Sequence, residues 1–358
     1  FPDNTTNAKD LMYILFTSGS TGDPKGVPIT YGNVTAFVSS FMSNGYFFST
    51  GDRFLQPFEL TFDASLDCYL IPVLYGACVY PVPSEGMRYL QAAKTMQENK
   101  VTVAKLTPSM TGLLKPYFSK LKLPSLRYCL FGGEGLPVQL VNDWQKCIPN
   151  AQIHNLYGPT EATVECFFYN ATPSPEIRSH KGFMSIGKPT GDTIAIIADD
   201  NGNFLPADQD GELCLAGSQV TAGYLDKSIN KKKFFDKISG KKKYVFYRTG
   251  DIALYDKDGY FFCVGRNDRQ VKVQGYRVEL DEIEIQASSF YTGYRFASIL
   301  TDEKILLFTD MADNTELLSM LSQKLPLWMI PSEIISIPEI PVNINGKTDY
   351  QLLKEYGK

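Results

Sequence analysis

Ten residues, Thr17-Ser18-Gly19-Ser20-Thr21-Gly22-Asp23-Pro24-Lys25-Gly26, carry the densest set of groups suited to an anionic phosphate chain. Four hydroxyls offer donors, three glycines let backbone N–H groups wrap an anion, and one lysine brings countercharge. The stretch is not a P-loop, because Lys25 follows Pro24 and precedes Gly26 rather than Ser or Thr. Taken alone it reads equally well as a polar turn. Metal-cage and triad chemistry are excluded more firmly. Only His154 and His180 are present, and neither sits in a Ser-His-Asp or zinc-ligand constellation. His154, inside an apolar run at 153–156, reads as a packed or hydrogen-bonded core residue.

These groups need a scaffold, and the pattern of apolar residues supplies one. An apolar run of strand length, residues 11–16, leads into the polar loop and reads as a buried strand. After Asn33, apolar residues 34, 37, 38 and 41 recur at helical spacing, and residues 66, 69, 70, 73 and 74 repeat it. Residues 101–106 and 127–131 are further strand-like runs, and Pro137 suits the first turn of a helix carrying Val138, Val141 and Trp144. Strands alternating with helices predict an α/β large domain with a mostly parallel sheet covered on both faces. From about Gly187 the texture becomes strands and tight turns, a β-barrel-like part. A third part near Arg269 holds a short strand, a helix from Asp281 and a last helix with Leu317, Leu318 and Leu321. The expected division is 1–186, 187–267 and a small, mobile α+β domain at 268–358.

The 358 residues predict two or three domains at ~150 residues each. A net charge of −4 without a basic arm excludes a nucleic-acid scaffold. The longest apolar stretch, 70–80, is broken by Pro72 and Gly76 and falls short of the ~18 residues of a membrane span. Seven cysteines, an odd number without a C-x-x-C pair, read as reduced core residues. No basic-then-apolar leader follows Phe1, so the expected compartment is cytoplasmic. Lysine triplets at 231–233 and 241–243 read as a solvated face.

Beyond the loop, several short motifs follow in order. They are Phe62-Asp63-Ala64-Ser65; Asn155-Leu156-Tyr157-Gly158-Pro159-Thr160-Glu161; Gly211-Glu212-Leu213; Gly223-Tyr224-Leu225; and Tyr247-Arg248-Thr249-Gly250-Asp251. Then come Gly265-Arg266-Asn267-Asp268; Gly275-Tyr276-Arg277-Val278-Glu279; and Asn345-Gly346-Lys347-Thr348-Asp349. The ordered set resembles the adenylate-forming superfamily, which includes peptide-synthetase adenylation domains, D-alanine–carrier protein ligases, acyl-CoA synthetases and luciferases. Residues 157–164 and 262–266 look closest to the first two groups.

The resemblance implies ATP and Mg²⁺ as cofactors and an aminoacyl-adenylate as intermediate. It assigns Lys347 to the mobile lysine that reaches carboxylate and phosphate, Thr160 to the α-phosphate and Glu161 to Mg²⁺. Tyr157 would stack on adenine, Asn155 bond its amino edge, Asp251 grip the ribose and Arg266 stand beside ribose and phosphate. Leu156, Gly158, Pro159, Cys263 and Gly265 would complete the nucleotide site with Thr17, Ser18, Gly19, Ser20, Thr21, Gly22 and Lys25. Asp268 matches a hinge, and the backbone near Gly275 a pantetheine tunnel. Asp63 matches the carboxylate that binds a substrate ammonium, its plain alternative being a cap on the helix from Ser65.

The substrate pocket would be lined by Ala64, Asp67, Lys105, Leu130, Gly132, Leu156, Val164 and Glu165. Lys105 resembles the lysine of Asp- and Asn-selecting domains, though Asp67 and Glu165 could neutralise it internally. Gly132, where D-alanine ligases tend to carry Cys, is expected to open the pocket. The implied partners are an amino acid, D-alanine among the candidates, and a phosphopantetheinyl carrier protein acting in trans. The alternatives are an acyl- or aryl-CoA ligase and an inactive adenylation fragment, the latter because only ten residues precede the first strand.

Overall fold

The computed structural model describes residues 5–17, 24–172, 177–239, 242–342 and 348–357. The chain divides into two units, Phe1–Phe16 with Gly26–Asn267, and Thr17–Lys25 with Asp268–Lys358. In the first unit, β1 (Leu11–Thr17) pairs with β2 (Lys25–Thr30) as a separate two-stranded sheet. The expected buried strand is therefore a half-exposed one, with Leu11, Ile14 and Phe16 all reaching the surface. Thr30 caps α1 (Tyr31–Met42) by accepting from the Asn33 N–H, while Asn33 Oδ1 accepts from the Thr30 N–H.

The strands β3 (Arg53–Gln56), β4 (Cys78–Pro81), β5 (Val103–Leu106), β6 (Tyr128–Phe131) and β7 (Gln152–Tyr157) pair in parallel. Connections run through α2 (Ser65–Leu74), α3 (Arg88–Glu98), α4 (Pro108–Leu113) and α5 (Val138–Trp144). On β7 lies the antiparallel β8 (Phe167–Asn170). A two-residue pair, β9 (Ser179–His180) and β10 (Phe183–Met184), precedes β11 (Lys188–Pro189), which closes the order β11-β8-β7-β6-β5-β3-β4. One apolar cluster is built on Ala104, Phe131 and Trp144, another on Phe37, Phe54 and Leu130, so alternate residues of the central strands feed different clusters.

The chain leaves β3 to one side for β4 and returns to its other side for β5. That reversal makes the carboxyl ends of β3 and β5 the topological switch point, the crevice where open α/β sheets hold ligands. The following strands are antiparallel, as the turn signals at 199–202 and 256–259 predict. They are β12 (Ile194–Ala198), β13 (Gly211–Ala216), β14 (Phe234–Ser239), the long β15 (Lys242–Tyr255) and β16 (Phe261–Arg266). Between β13 and β14 lies α6 (Lys227–Lys233), whose last turn carries the first lysine triplet.

In the second unit β17 (Gln270–Val273) pairs with β18 (Tyr276–Glu279), followed by α7 (Leu280–Phe290). Then β19 (Phe296–Thr301), β20 (Lys304–Thr309) and β21 (Glu333–Ser336) form a sheet, with α8 (Leu317–Lys324) between the last two. The helix expected to be last is not. A further one, α9 (Tyr350–Tyr356), is capped by Asp349 and buries Leu353. Its spacing shows only one fully buried position, too few for a periodic signal.

Candidate active site at the sheet's carboxyl edge

Asp63 lies in the connection from β3 to α2 and is buried, beside the switch point. The cap position of α2 falls on Ala64, which has no side chain to cap with. Burial, followed by the charge of Asp63, pushes the Tyr13 hydroxyl far above its ordinary pKa. One turn further along α2, Asp67 takes part in a buried ion triplet. The Lys105 ammonium, at the end of β5, donates to Asp67 Oδ2 at 2.8 Å and to Glu165 Oε1. Burial raises the Asp67 carboxyl above its usual range, against the pull of Lys105.

Internal neutralisation of Lys105 is thus what the fold adopts. It also alters the reading of Gly132. A Cβ there would stand 3.5 Å from Lys105 Cε, 3.6 Å from the Leu156 carbonyl oxygen and 3.7 Å from Glu165 Oε1. A Cβ would thus fit in ordinary van der Waals contact, so the glycine leaves room for a methyl group, bounded by the lysine chain.

The segment after β7 is shaped by backbone crowding. At Gly158 a Cβ would come within 2.5 Å of Glu165 Cα and 2.6 Å of the Val164 carbonyl oxygen, so only glycine fits. A single 3-10 turn, Thr160–Ala162, leads to Thr163 and Val164 at φ 53° and 68°. Left-handed backbone is costly for β-branched residues and persists where surroundings over-determine it. Here Gln219 does so. Its carbonyl accepts from Thr163 Oγ1 at 2.6 Å, and its Nε2 donates to the carbonyls of Glu165 at 2.7 Å and Ala162 at 3.3 Å. Gln219 has no distinguishing neighbourhood in the sequence, and the motif pattern passes over it.

Three motifs converge on Glu161, which is fully buried. The Tyr224 hydroxyl donates to its Oε1 at 2.5 Å and lies 3.2 Å from the Tyr247 hydroxyl. Among the described residues no group of three or more His, Cys, Asp or Glu is positioned to hold a metal. The Glu161 carboxylate is an oxygen donor of the hard kind that Mg²⁺ takes, and here it is engaged by the Tyr224 hydroxyl.

A second ionic cluster forms at the strand ends. The Tyr157 hydroxyl donates to Asp251 Oδ2 at 2.5 Å, and Arg266 pairs with Asp251 Oδ1 across the β15–β16 ladder. Burial, with the Asp251 charge, raises the Tyr157 hydroxyl well above its ordinary pKa. Burial does the same to the half-buried Cys263 thiol, with Asp251 adding to it. Nothing lies within 4 Å of where a Gly265 Cβ would be. Asn155 donates to the Ser185 carbonyl at 2.9 Å, Leu156 packs in the core beside Val164, and His154 lies 3.0 Å through Nδ1 from the Tyr46 hydroxyl.

In the second unit Lys25 is buried against Glu279 at 3.5 Å, and Gln270 also donates to that carboxylate at 2.8 Å. Thr17 Oγ1 is buried without a hydrogen-bond partner among the described residues. Asp268 opens the unit and accepts from the Gln270 N–H. Ser18, Gly19, Ser20, Thr21, Gly22 and Lys347 lie outside the described residues.

Known proteins resemble this chain in sequence and in fold. The model of the AMP-binding enzyme family matches residues 1–225. A D-alanine–D-alanyl carrier protein ligase of Bacillus licheniformis is 33% identical over 99% of this chain and 72% of its own. Bacitracin synthase 2, also of Bacillus licheniformis, is 33% identical over 98% of this chain, which spans only 14% of that protein. Among solved structures, the Vibrio cholerae adenylation domain AlmE, in complex with glycyl-adenosine-5'-phosphate, superposes with a TM-score of 0.85 at 28% identity. That match covers 98% of this chain and 67% of that one. The fold and site define an adenylate-forming architecture. The chain belongs to the AMP-binding enzyme family.

Proposed function

We propose that this chain activates an amino acid with ATP and passes it to the pantetheine thiol of a carrier protein acting in trans. A substrate carboxylate oxygen attacks the α-phosphorus, and the bond to pyrophosphate breaks, leaving an aminoacyl-adenylate. The thiol then attacks the acyl carbon, AMP departs, and a thioester remains. The observation that supports an amino acid over a plain acid is Asp63, a buried carboxylate at the head of α2 beside the switch point. A carboxylate at this place is suited to a charge-assisted contact with a substrate ammonium, which a plain acid lacks.

In this reading Asp251, Arg266 and Tyr157 exchange contacts among themselves for contacts to ribose, phosphate and adenine. Thr160 donates to the α-phosphate, and Glu161 holds a Mg²⁺ that supplies charge neutralisation to the phosphates. Lys25 and residues 17–22 cradle the phosphate chain, Lys347 neutralises charge during adenylation, and Asp268 is the hinge. D-alanine is one candidate substrate, as for the B. licheniformis ligase. The expected compartment is the cytoplasm, which suits seven free cysteines. Among the described residues no helix is long and apolar enough to cross a membrane.

Pyrophosphate exchange with a panel of amino acids and their deaminated analogues tests the reading. Amino acids should support exchange, and Asp63→Ala should abolish it while ATP binding survives. Preference for a fatty or aryl acid, unchanged by Asp63→Ala, would replace the reading with a CoA ligase. Lys347→Ala should slow exchange by ~10²-fold or more while thioester formation from supplied adenylate persists. Equal loss in both steps contradicts its role.

A further inference from the structure

The amino-acid reading leaves the side chain of the substrate open, and the ion triplet bears on it. Asp63 lies two residues before α2 and Asp67 in its first turn, so the two carboxylates are four residues apart in the chain. A substrate held by its ammonium on Asp63 therefore meets the triplet within one turn. Resting on that reading, we propose that the Asp67–Lys105–Glu165 triplet is a plug closing the far end of the pocket, so that the substrate is an amino acid of glycine or alanine size.

Three observations carry this. Asp67 and Lys105 are each 3% exposed and Glu165 is 7% exposed, so water hardly reaches the triplet. The ammonium is already shared between Asp67 and Glu165, so no cation stands ready for an acidic side chain. A Cβ at Gly132 would meet Lys105 Cε at 3.5 Å and Glu165 Oε1 at 3.7 Å, so this glycine leaves room for a methyl group before the triplet is reached.

Charge points the same way. One lysine against two carboxylates is already balanced or negative, so an acidic substrate would add uncompensated buried charge. A basic or long apolar side chain would have to displace the lysine and break both pairs. Lys105, seen from the sequence as a possible reader of Asp or Asn, acts as a stopper.

The test compares wild type with two triple variants, in pyrophosphate exchange over glycine, alanine, leucine, lysine and aspartate. Asp67→Asn/Lys105→Met/Glu165→Gln keeps the volume and removes the charges. Asp67→Asn/Lys105→Ala/Glu165→Gln removes the charges and opens the end. Both avoid the unpaired carboxylates that would make a single Lys105 substitution unfold. Wild type and the volume-keeping variant should favour glycine or alanine over leucine. The opened variant should raise the leucine-to-alanine ratio of kcat/KM at least ~10-fold, the order expected for added methylenes. Wild-type preference for lysine, aspartate or leucine overturns the plug but leaves amino-acid activation standing. So does an unchanged ratio in the opened variant with a wild-type melting profile. If no amino acid supports exchange in wild type, the activation reading falls and takes the plug with it.

Discussion

The two ionic clusters of the first unit are alike in composition and opposite in setting. Asp67, Lys105 and Glu165 are dry, and the single ammonium serves both carboxylates. Asp251 and Arg266 pair at the ends of β15 and β16, with 17% of each side chain exposed, and Tyr157 closes the group from β7. A dry cluster can only hold its shape, since removing its cation strands two carboxylates. A partly exposed one can trade a partner for water or ligand at small cost. Under the proposed function the same chemistry gives a wall in one place and a docking surface in the other.

The contrast breaks most visibly at Lys105. Lys105→Met should destabilise the fold by about 3–5 kcal/mol, because two buried carboxylates lose the cation they share. Urea titration reads this, and a loss under about 1 kcal/mol would put the triplet in the same class as a surface pair.

A probe of the closed side is His154. Burial pushes its pKa down to about 4 from an ordinary 6.5. Below the unfolded value the unfolded chain binds the proton first, so stability is full above pH 6.5 and falls as pH drops toward 4. The loss amounts to at most about 3 kcal/mol. His154→Gln, which keeps a partner for Tyr46, should remove that component, and a wild-type-like pH profile in the variant would deny it.

On the open side, Asp251→Ala should leave the melting temperature nearly unchanged while kcat/KM for ATP falls ~10²-fold. A large stability loss with intact ATP use would reverse the comparison.

The smallest effect is expected at Gln219, which lies between the clusters in function. Gln219→Ala leaves the Glu165 carbonyl without its side-chain donor, costing about 1–3 kcal/mol. Because it frees the turn carrying Val164 and Glu165, KM for the amino acid should rise more than KM for ATP. Equal rises would mean that the turn serves both sites alike.

Much of this frame is legible in the residues themselves. The apolar runs at 101–106 and 127–131 become β5 and β6 because central parallel strands are buried on both faces and leave an unbroken signature. The strand at 11–16 looks identical in sequence yet stands half exposed on β2, since hydrophobicity does not say which sheet a strand joins. The motifs of Tyr157, Asp251 and Arg266 are far apart in the chain, and only the family pattern implies that they meet. Gln219 gives no sign of itself, because a clamp made with backbone carbonyls needs no special neighbours in sequence. How far the room at Gly132 extends is not legible either, because Lys105, which bounds it, comes from a strand 27 residues earlier.

The triplet also constrains how such a chain can diverge. Asp67, Lys105 and Glu165 reach one another from a helix, a strand and a strained turn. Replacing Lys105 alone strands two buried carboxylates, so a one-step change there passes through a poorly folded neighbour, whereas losing one carboxylate leaves a balanced pair. Selection for foldability alone would then hold the lysine in place for as long as both carboxylates remain. A lineage that loses the lysine is expected to have lost the carboxylates before it or with it, or to have first acquired stability elsewhere.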